Sequence, residues 1–412
     1  MWNPPSTPVA DRARAAHEEL AGAPAQHVAS APATWVLLGE HIDHFGGMAI
    51  VGLSSLRAAA AVSTRDDGKI AVQIEGNEVE YTSLQELSEL ASVQQPSVDA
   101  DGQPVLPDAP TGNASLRLAG IVHSLINRQL LSRETTGVTI TVASDIPDNA
   151  GLGELSAMDV ATALALHGED ADDAPLRARL SEVCTQAVTL FSKVPALRAR
   201  HSAALRGGES ITLIDYADHS VTQAPHLLND DLSAFLVAVP GTPEDTAAAD
   251  IRRREHFLDD ACHAFGTESL RLLPDATPRV LDWLTAVHKV YGTENQPTVD
   301  EARQWLSFYE SETQRSQDFA RALRSRRGTE LFPLIEQSQA ALVHEYGMES
   351  GSQLSQLAHV RGAVTARAAH AGLVNATIAY VPTKHATNFA ADLDADGLIV
   401  LPLHSGSPAQ LH

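Results

Sequence analysis

The sequence predicts an α+β protein, because strand-like segments lie at both ends of the chain and helical segments lie between them. The first observation is the alternation of apolar and polar residues over 57–75. The second is a long region, 246–370, whose composition and periodicity are mostly helical. The third is a pair of closing strand-like runs, NATIAYVP at 375–382 and GLIVLPL at 397–403.

Each further element follows from a local pattern. The segment 57–75 contains Asp66-Asp67-Gly68, a turn sequence that predicts a hairpin. Residues 91–113 are rich in Pro, Asp and Gly and predict a long exposed loop. Periodicity also predicts helices over 11–22, 114–128 and 176–205, strands over 36–38, 137–143, 209–216 and 234–241, and a loop that passes into a helix after 146.

A chain of 412 residues with 44% hydrophobic content can bury large cores and divides most naturally into two domains. We place the boundary between the strands 209–216 and 234–241, which gives domains of residues 1–226 and 227–412. A new strand followed by a strong turn signal begins the second half.

The composition argues against several classes of partner. The net charge of −23 repels phosphate backbones and anionic membrane surfaces, so nucleic acid is not expected as a partner. No apolar stretch reaches the roughly 20 residues of a membrane helix. Only two cysteines occur, and the N-terminus lacks the apolar core of a signal peptide, so we expect a cytoplasmic protein.

The stretch IPDNAGLGELSA places Gly151, Leu152 and Gly153 where a loop passes into a helix. Free backbone N–H groups and the positive end of a helix dipole make such a turn a candidate anion site. The alternative is an ordinary helix start with two flexible residues. The carboxylate of Glu154 opposes bound phosphate but suits the helix dipole.

The stretch GEHIDHFGG, residues 39–47, follows an apolar run and contains Glu40, His41, Asp43 and His44. All four are possible metal ligands. On an extended backbone, however, alternate residues point to opposite faces and do not converge. A polyol ligand fits better, because carboxylates accept hydrogen bonds from hydroxyls and an imidazole can donate or accept. A solvent-exposed polar turn is the other alternative.

These motifs resemble those of a known family. APATWVLLGEHIDHFGG, residues 31–47, resembles the galactokinase signature, and SDIPDNAGLGELSAMDVATAL, residues 144–164, resembles the phosphate loop of GHMP kinases. Segments 191–216, 250–257 and 344–360 have galactokinase-like counterparts in the same order. The resemblance therefore covers nearly the whole chain and indicates the galactokinase branch of the GHMP family.

The resemblance implies a two-domain GHMP kinase fold, with an N-terminal domain like ribosomal protein S5 domain 2 and a ferredoxin-like C-terminal domain. It also implies an active site between them, in which galactokinases use Mg-ATP to phosphorylate the anomeric hydroxyl of galactose. The family's sugar-binding Glu, His and Asp fall at Glu40, His41 and Asp43, and all three are present.

The catalytic positions depart from the family. The family's activating Arg falls at Thr34, and its catalytic Asp falls at Ala199 or Arg200, depending on the alignment. The paired phosphate-loop serines, one of which meets Mg²⁺, fall at Glu154 and Leu155. Base, cation and metal ligand are therefore all missing, and no catalytic residue is assigned.

Two further family motifs are altered. The C-terminal Gly-rich loop retains Gly372, but Val374 and Asn375 occupy glycine positions. The family's Tyr-Asn pair is Ala249-Asp250, which removes one further sugar contact.

The sequence therefore favours a sugar-binding protein with a degenerate nucleotide site, for galactose or a related sugar. Arg198, Arg200 and His201 raise the possibility of an anionic ligand, against the alternative of a solvated helix face. A competing hypothesis is a working sugar kinase that uses Mg-ATP, with Glu154 as a relocated Mg²⁺ ligand.

Overall fold

Two large β-sheets, one short two-stranded sheet and helices from both halves of the chain make up the structure, which is a computed structural model. It describes residues 4–95, 97–98, 104–105, 107–168, 173–240, 245–293 and 296–412. The strands are β1 (His27–Leu38), β2 (Met48–Arg65), β3 (Ile70–Ile74), β4 (Glu80–Thr82), β5 (Ser97–Val98), β6 (Pro104–Val105), β7 (Gly137–Ser144), β8 (Ile211–Asp215), β9 (Ser220–Ala224), β10 (Leu232–Ala238), β11 (Thr365–Ala368), β12 (Ala376–Pro382), β13 (Ile399–Leu403) and β14 (Gln410–Leu411).

The helices alternate with these strands in the first half and dominate the second. They are α1 (Val9–Ala21), α2 (Leu84–Val93), α3 (Ala114–Asn127), α4 (Glu154–His167), α5 (Ala174–Phe191), α6 (Arg198–Arg206), α7 (Asp245–Phe265), α8 (Ala276–Tyr291), α9 (Val299–Arg324), α10 (Gly328–His344), α11 (Ser352–Val360) and α12 (Ala386–Ala395). The predicted α+β mixture is confirmed.

The larger sheet has the strand order β14-β1-β2-β7-β3-β4, and β8 and β9 extend it from β2. Strand β2 is long enough to have two partners besides β1. Its first residues pair with β8, as in Met48↔Asp215, and its later residues pair with β7, as in Ala58↔Ser144. The turn between β1 and β2 is thereby held against the β8 side of the sheet.

The predicted hairpin over 57–75 is wrong. A bend occurs at Asp66–Gly68, as expected, but β2 and β3 do not pair with each other. Strand β7 lies between them, antiparallel to β2 and parallel to β3. All but the last residue of β7 are buried, so the pairing is decided by the burial of a distant strand rather than by the local turn.

Other predicted elements are close to the observed ones. The strands predicted at 137–143 and 234–241 are confirmed as β7 and β10. The helical stretch 176–205 is two helices, α5 and α6, separated at 192–197. The predicted loop 91–113 is interrupted, because α2 reaches Val93 and β5 pairs with β6; residues 96, 99–103 and 106 of this loop, and part of the turn after β10, lie outside the described residues.

The smaller sheet is antiparallel and has the order β11-β12-β10-β13. All its strands follow residue 231, whereas the larger sheet uses strands that precede residue 225, together with β14. On this basis we propose the division into residues 1–226 and 227–412. The terminal strand β14 returns to the larger sheet and pairs with β1, as in Ser30↔Gln410.

A continuous apolar core includes Trp35 of β1, Phe191 of α5 and Tyr309 of α9, so both halves of the chain contribute to it. Helix α4 is buried over most of its length and packs on β1 and β2. Within the described part of the chain, no helix is both long and apolar enough to cross a membrane.

Candidate functional site

The GEHIDHFGG segment forms the turn that joins β1 to β2. Its backbone is not extended, which corrects the assumption of alternating faces. His41 has a φ of 65°, in the left-handed region that L-residues rarely adopt. A Cβ at Gly39 would lie 2.0 Å from the backbone oxygen of Met48, so only glycine fits there. The tight turn points each polar side chain at a different neighbour.

Glu40 is completely buried and is surrounded by positive charge. Its Oε2 accepts hydrogen bonds from Arg367 Nη1 at 3.0 Å and from the Ala371 amide at 3.3 Å. Arg200 Nη2 lies 3.8 Å from Oε1, which has no hydrogen-bond partner. Burial alone would raise the pKa of Glu40, but Arg367, His41 and Arg200 together lower it to about 2. Glu40 is therefore a carboxylate at neutral pH.

His41 is partly exposed, and its Nε2 donates to the backbone oxygen of Ala371 at 2.8 Å. Burial lowers the pKa of His41, so the imidazole is neutral at pH 7. Asp43 is 5% exposed and accepts a 2.8 Å hydrogen bond on Oδ2 from Arg198 Nε. Burial opposes the charge of Asp43, but Arg198 holds its pKa at about 2.

His44 points away from these three residues and hydrogen-bonds Asp259 of α7 at 2.9 Å. Burial and Arg198 lower its pKa, yet Asp259, Glu255 and Asp43 outweigh them and raise it to about 9. The four side chains of the motif thus do not converge. Within the described residues, no group of three or more His, Cys, Asp or Glu side chains is placed to hold a metal ion.

Arg200 lies against Thr34, at the two positions where the resemblance places an acid and a cation. Its Nη1 donates to the Thr34 backbone oxygen at 2.5 Å and to Oγ1 at 3.1 Å, and Nη2 donates to the Gly151 oxygen at 3.0 Å. Ala199, the other aligned position, packs in an apolar cluster with Val36 and Leu53. Strand β1 and helix α6 therefore meet at these aligned positions, and the cation of the contact belongs to α6.

A second buried ion cluster lies behind this contact. Asp159 of α4 accepts hydrogen bonds from Arg117 of α3 and from His201 Nε2, the latter at 2.9 Å. All three side chains are at least nine-tenths buried. The expectation of a solvated helix face for 198–201 is therefore wrong, because Arg200 and His201 point into the protein and Arg198 pairs with Asp43.

The glycine loop enters α4 at Gly153, which has a φ of 68° and provides no side-chain cap. Its backbone is packed closely by neighbouring residues. A Cβ on Gly151 would meet Ala369 Cβ at 2.8 Å and Val374 Cγ2 at 3.1 Å. A Cβ on Gly153 would meet Arg200 Cδ at 2.8 Å. Leu152 contributes its backbone oxygen, which accepts from the Thr34 amide at 2.9 Å.

A cavity of about 260 Å³ opens at this helix start. Its wall is mostly apolar but includes three basic side chains, those of Arg117, Lys193 and Arg252. His370 closes one side, where burial and the charge of Arg200 lower its pKa to about 3. The charges of Glu40 and His41 also shift the pKa of His370, so this side of the cavity lies close to the GEHIDHFGG turn.

Glu154, at the cavity wall, differs from the sequence-based expectation of a charged group. Burial and the charge of Asp148, with which it shares a hydrogen bond, raise the pKa of Glu154 to about 9. Glu154 is therefore protonated at pH 7 and can donate a hydrogen bond. It presents no negative charge to the helix N-terminus.

Four of the altered positions line the cavity. They are Glu154, Leu155, Ala249 and Val374.

Several site residues were missed from the sequence. Arg367 and Asp159 contact residues 327 and 42 positions away, respectively, so no local pattern connects them to Glu40 or to Arg117. Asp148 was not singled out either. Its place just before the glycine loop was a usable signal, because two acids flanking one helix start are expected to interact.

Comparison with known proteins agrees with this geometry. Residues 15–64 match the galactokinase galactose-binding signature. The chain is 28% identical over 261 residues to the galactokinase of Streptomyces coelicolor, a match that covers 63% of this chain and 62% of that protein. The matched region is thus less than two thirds of the relative's length.

The fold is that of solved GHMP kinases. Lactococcus lactis galactokinase, solved in complex with galactose, superposes with a TM-score of 0.73 over 98% of this chain and 100% of its own, at 16% identity. The mevalonate kinase of Methanococcus jannaschii gives a TM-score of 0.57 over 92% of this chain and 98% of its own, at 12% identity. The signature, the similarity to galactokinases and the shared GHMP kinase fold together support the resemblance of this chain to the galactokinase branch of that family.

Proposed function

We propose that this protein binds galactose or a related sugar and has little or no ATP-dependent sugar 1-kinase activity. The observation that carries the proposal is the contact between Arg200 and Thr34. Burial lowers the pKa of Arg200 only to about 10, so this side chain stays charged at neutral pH and cannot accept a proton from a sugar hydroxyl. Of the two positions at which the resemblance places a general base, one is therefore occupied by a fixed cation and the other by Ala199.

Sugar recognition is supported by acceptors that survive in the GEHIDHFGG turn. Glu40 Oε1 is a buried carboxylate oxygen without a donor, which a sugar hydroxyl can satisfy. His41 and Asp43 lie in the same turn, and Asp43 uses only one oxygen for Arg198. The match to a galactose-binding signature and the fold shared with a galactose-bound galactokinase favour galactose as the first ligand to test.

The loss of catalysis follows from several absent groups together. A general base contributes roughly 10²- to 10⁴-fold to the rate. Phosphoryl transfer further depends on cations, metal and backbone donors that position the phosphates. Asp159, the other acidic residue of α4 besides Glu154, is committed to Arg117 and His201 and cannot replace the base. Even with non-additive effects within one site, little turnover is expected.

The nucleotide part of the site fits Mg-ATP poorly. Ala369 and Val374 pack closely against Gly151, and the side chain of Arg200 packs closely against Gly153. No serine hydroxyl stands at 154 or 155 to meet a metal ion. The cavity of about 260 Å³ is also below the roughly 300–1,000 Å³ typical of small-molecule sites. This volume is small for a nucleotide.

An active kinase with relocated groups is the second candidate function. It is favoured by the pairing of Glu154 with Asp148 at a cavity that also contains Lys193 and Arg252. If Glu154 loses its proton on metal binding, the two carboxylates supply the oxygen ligands that Mg²⁺ prefers. The N-terminal end of α4 opposes a cation there, which is why we rank this candidate second.

The two candidates differ in which ligand raises the thermal stability of the protein. A ligand that binds only the native state raises the melting temperature. We expect galactose alone to raise it and Mg-ATP alone to leave it unchanged. A coupled kinase assay with a panel of sugars, repeated with Glu154→Gln, completes the test. Turnover that Glu154→Gln abolishes would establish the kinase instead.

A further inference from the structure

Arg254 of α7 is a buried cation without a matching anion. It is 9% exposed, and its Nε and Nη1 have no hydrogen-bond partner. Among the described residues, no carboxylate lies within 4.0 Å of its guanidinium. Its neighbours are aromatic, with the guanidinium 4.2 Å from the ring centre of Tyr346 and 5.2 Å from that of Trp305.

An isolated buried charge is costly. Stacking on aromatic rings offsets only part of the free energy that it costs to bury an unpaired ion. Water can accept hydrogen bonds from Nε and Nη1, but it does not neutralise the guanidinium charge. The free energy of this arrangement therefore falls when an anion reaches Arg254.

Arg254 lies beside the GEHIDHFGG turn. The ring of Tyr346, on which it stacks, has its centre 5.5 Å from that of His41. The charge of Arg254 is close enough to His41 to oppose protonation of that imidazole. Arg254 and His41 thus contact the same aromatic ring, that of Tyr346. A sugar that hydrogen-bonds His41 would therefore lie near Arg254.

The carboxylates of the turn are not available to neutralise Arg254. Glu40 is shared by Arg367 and Arg200, and Asp43 is paired with Arg198. The buried Glu312, 3.8 Å from Arg367, is likewise engaged. These carboxylates are therefore already used by other arginines, which leaves Arg254 as a positive charge that an anion can neutralise.

We propose that the preferred ligand of this site is a sugar that carries an anionic group, a carboxylate or a phosphate, which pairs with Arg254. This inference rests on the proposed sugar-binding function and specifies its ligand class. A guanidinium whose Nε and Nη1 nitrogens lack partners suits both anions, since the oxygens of a carboxylate or a phosphate accept charge-assisted hydrogen bonds from either nitrogen.

Calorimetry of the full chain tests the proposal. Galactose, galacturonate, galactose 1-phosphate and galactose 6-phosphate are titrated separately into the wild-type protein and into Arg254→Met. We expect at least one anionic sugar to bind about 10-fold or more tightly than galactose to the wild type, because a charge-assisted hydrogen bond is worth about 1.5–3 kcal/mol. In Arg254→Met the preference should disappear, while the Kd for galactose changes less than about 3-fold. The anionic sugar that binds most tightly to the wild type shows whether Arg254 prefers a carboxylate or a phosphate.

Arg253→Met is the matched control, because Arg253 stacks 5.3 Å from the same Trp305 ring but is paired with Glu301. It should retain the wild-type preference. If Arg254→Met does not fold, Arg254→Gln, which also removes the charge, replaces it. Galactose binding as tightly as every anionic sugar, or an unchanged preference in both Arg254 variants, would overturn this inference alone. Binding of no sugar at all would overturn the proposed function with it.

Discussion

The guanidinium of Arg200 donates a 2.5 Å hydrogen bond to the backbone oxygen of Thr34 and a 3.0 Å hydrogen bond to that of Gly151. One side chain thereby joins β1, α6 and the glycine loop. The same group lies 3.8 Å from Glu40, so it also neutralises part of the turn between β1 and β2. Arg200 therefore holds together the segments to which the resemblance assigns catalytic groups, and it places a fixed cation at one of the positions where an acid is expected.

Replacing Arg200 should therefore destabilise the fold. We expect Arg200→Met to lower the free energy of unfolding by about 3 kcal/mol or more, because it leaves a buried carboxylate and two backbone oxygens with fewer donors. Urea unfolding followed by circular dichroism measures this. Arg206→Met, on the last turn of the same helix, is the control and should cost under about 1 kcal/mol. A cost for Arg200→Met no larger than the control's would contradict the assigned contacts.

The buried cluster around Asp159 leads to a second prediction. Asp159→Asn keeps the shape of the side chain but leaves Arg117 as an uncompensated buried cation, which should cost about 3–5 kcal/mol. The control is Asp300→Asn, whose carboxylate is 89% exposed and should change stability by less than about 0.5 kcal/mol. Equal midpoints for the two variants in urea would show that the Asp159 network is not needed for stability.

Asp43 should matter for sugar affinity. If its free oxygen accepts from a sugar hydroxyl, Asp43→Asn should weaken galactose binding by about 10-fold or more, as expected for a hydrogen bond to a charged group. Asp259→Asn changes an acid that pairs with His44 of the same turn and should leave the Kd within about 2-fold. Calorimetry that gives the same Kd for both variants would remove Asp43 from the sugar site.

The raised pKa of Glu154 predicts how stability depends on pH. The folded state holds this proton up to about pH 9, whereas an unfolded glutamate releases it near 4.5. Its contribution to stability is complete below pH 4.5 and is lost as the pH rises toward 9. We therefore expect the melting temperature of the wild type to fall relative to Glu154→Gln between pH 5 and 9. The contribution of His44 to stability also falls as the pH rises, but it is the same in both proteins and does not affect the difference between their melting temperatures. Parallel melting curves would mean that Glu154 is ionised in the fold.

The fold was predictable where burial and local pattern agree. Strand β10 and strand β12 are apolar runs bounded by turn signals, and both were placed correctly. The hairpin over 57–75 was not, because its turn signal is local while the partner of β2 is β7, more than 70 residues further along the chain. Pairing between distant strands depends on which faces become buried together, and the sequence of one segment does not contain that information.

The site was predictable in its residue types and not in its contacts. The sequence placed Thr34 and Arg200 at altered catalytic positions, but it could not show that they touch. It treated Glu154 as charged, because the neighbouring carboxyl of Asp148 and the burial that raise its pKa are properties of the fold. Arg254 is one of three consecutive arginines in the sequence, and burial without an ion-pair partner among the described residues distinguishes it from Arg253.

The most direct test of the central claim is one calorimetric titration of galactose into the wild-type protein in the presence of Mg-ATP. Binding without chemistry gives heat pulses that return to the baseline and decline as the site saturates, and this is the result that we predict. A kinase gives a sustained shift of thermal power after each injection, because turnover continues until substrate is consumed. That sustained signal, or no heat at all, would contradict retained sugar recognition without phosphorylation.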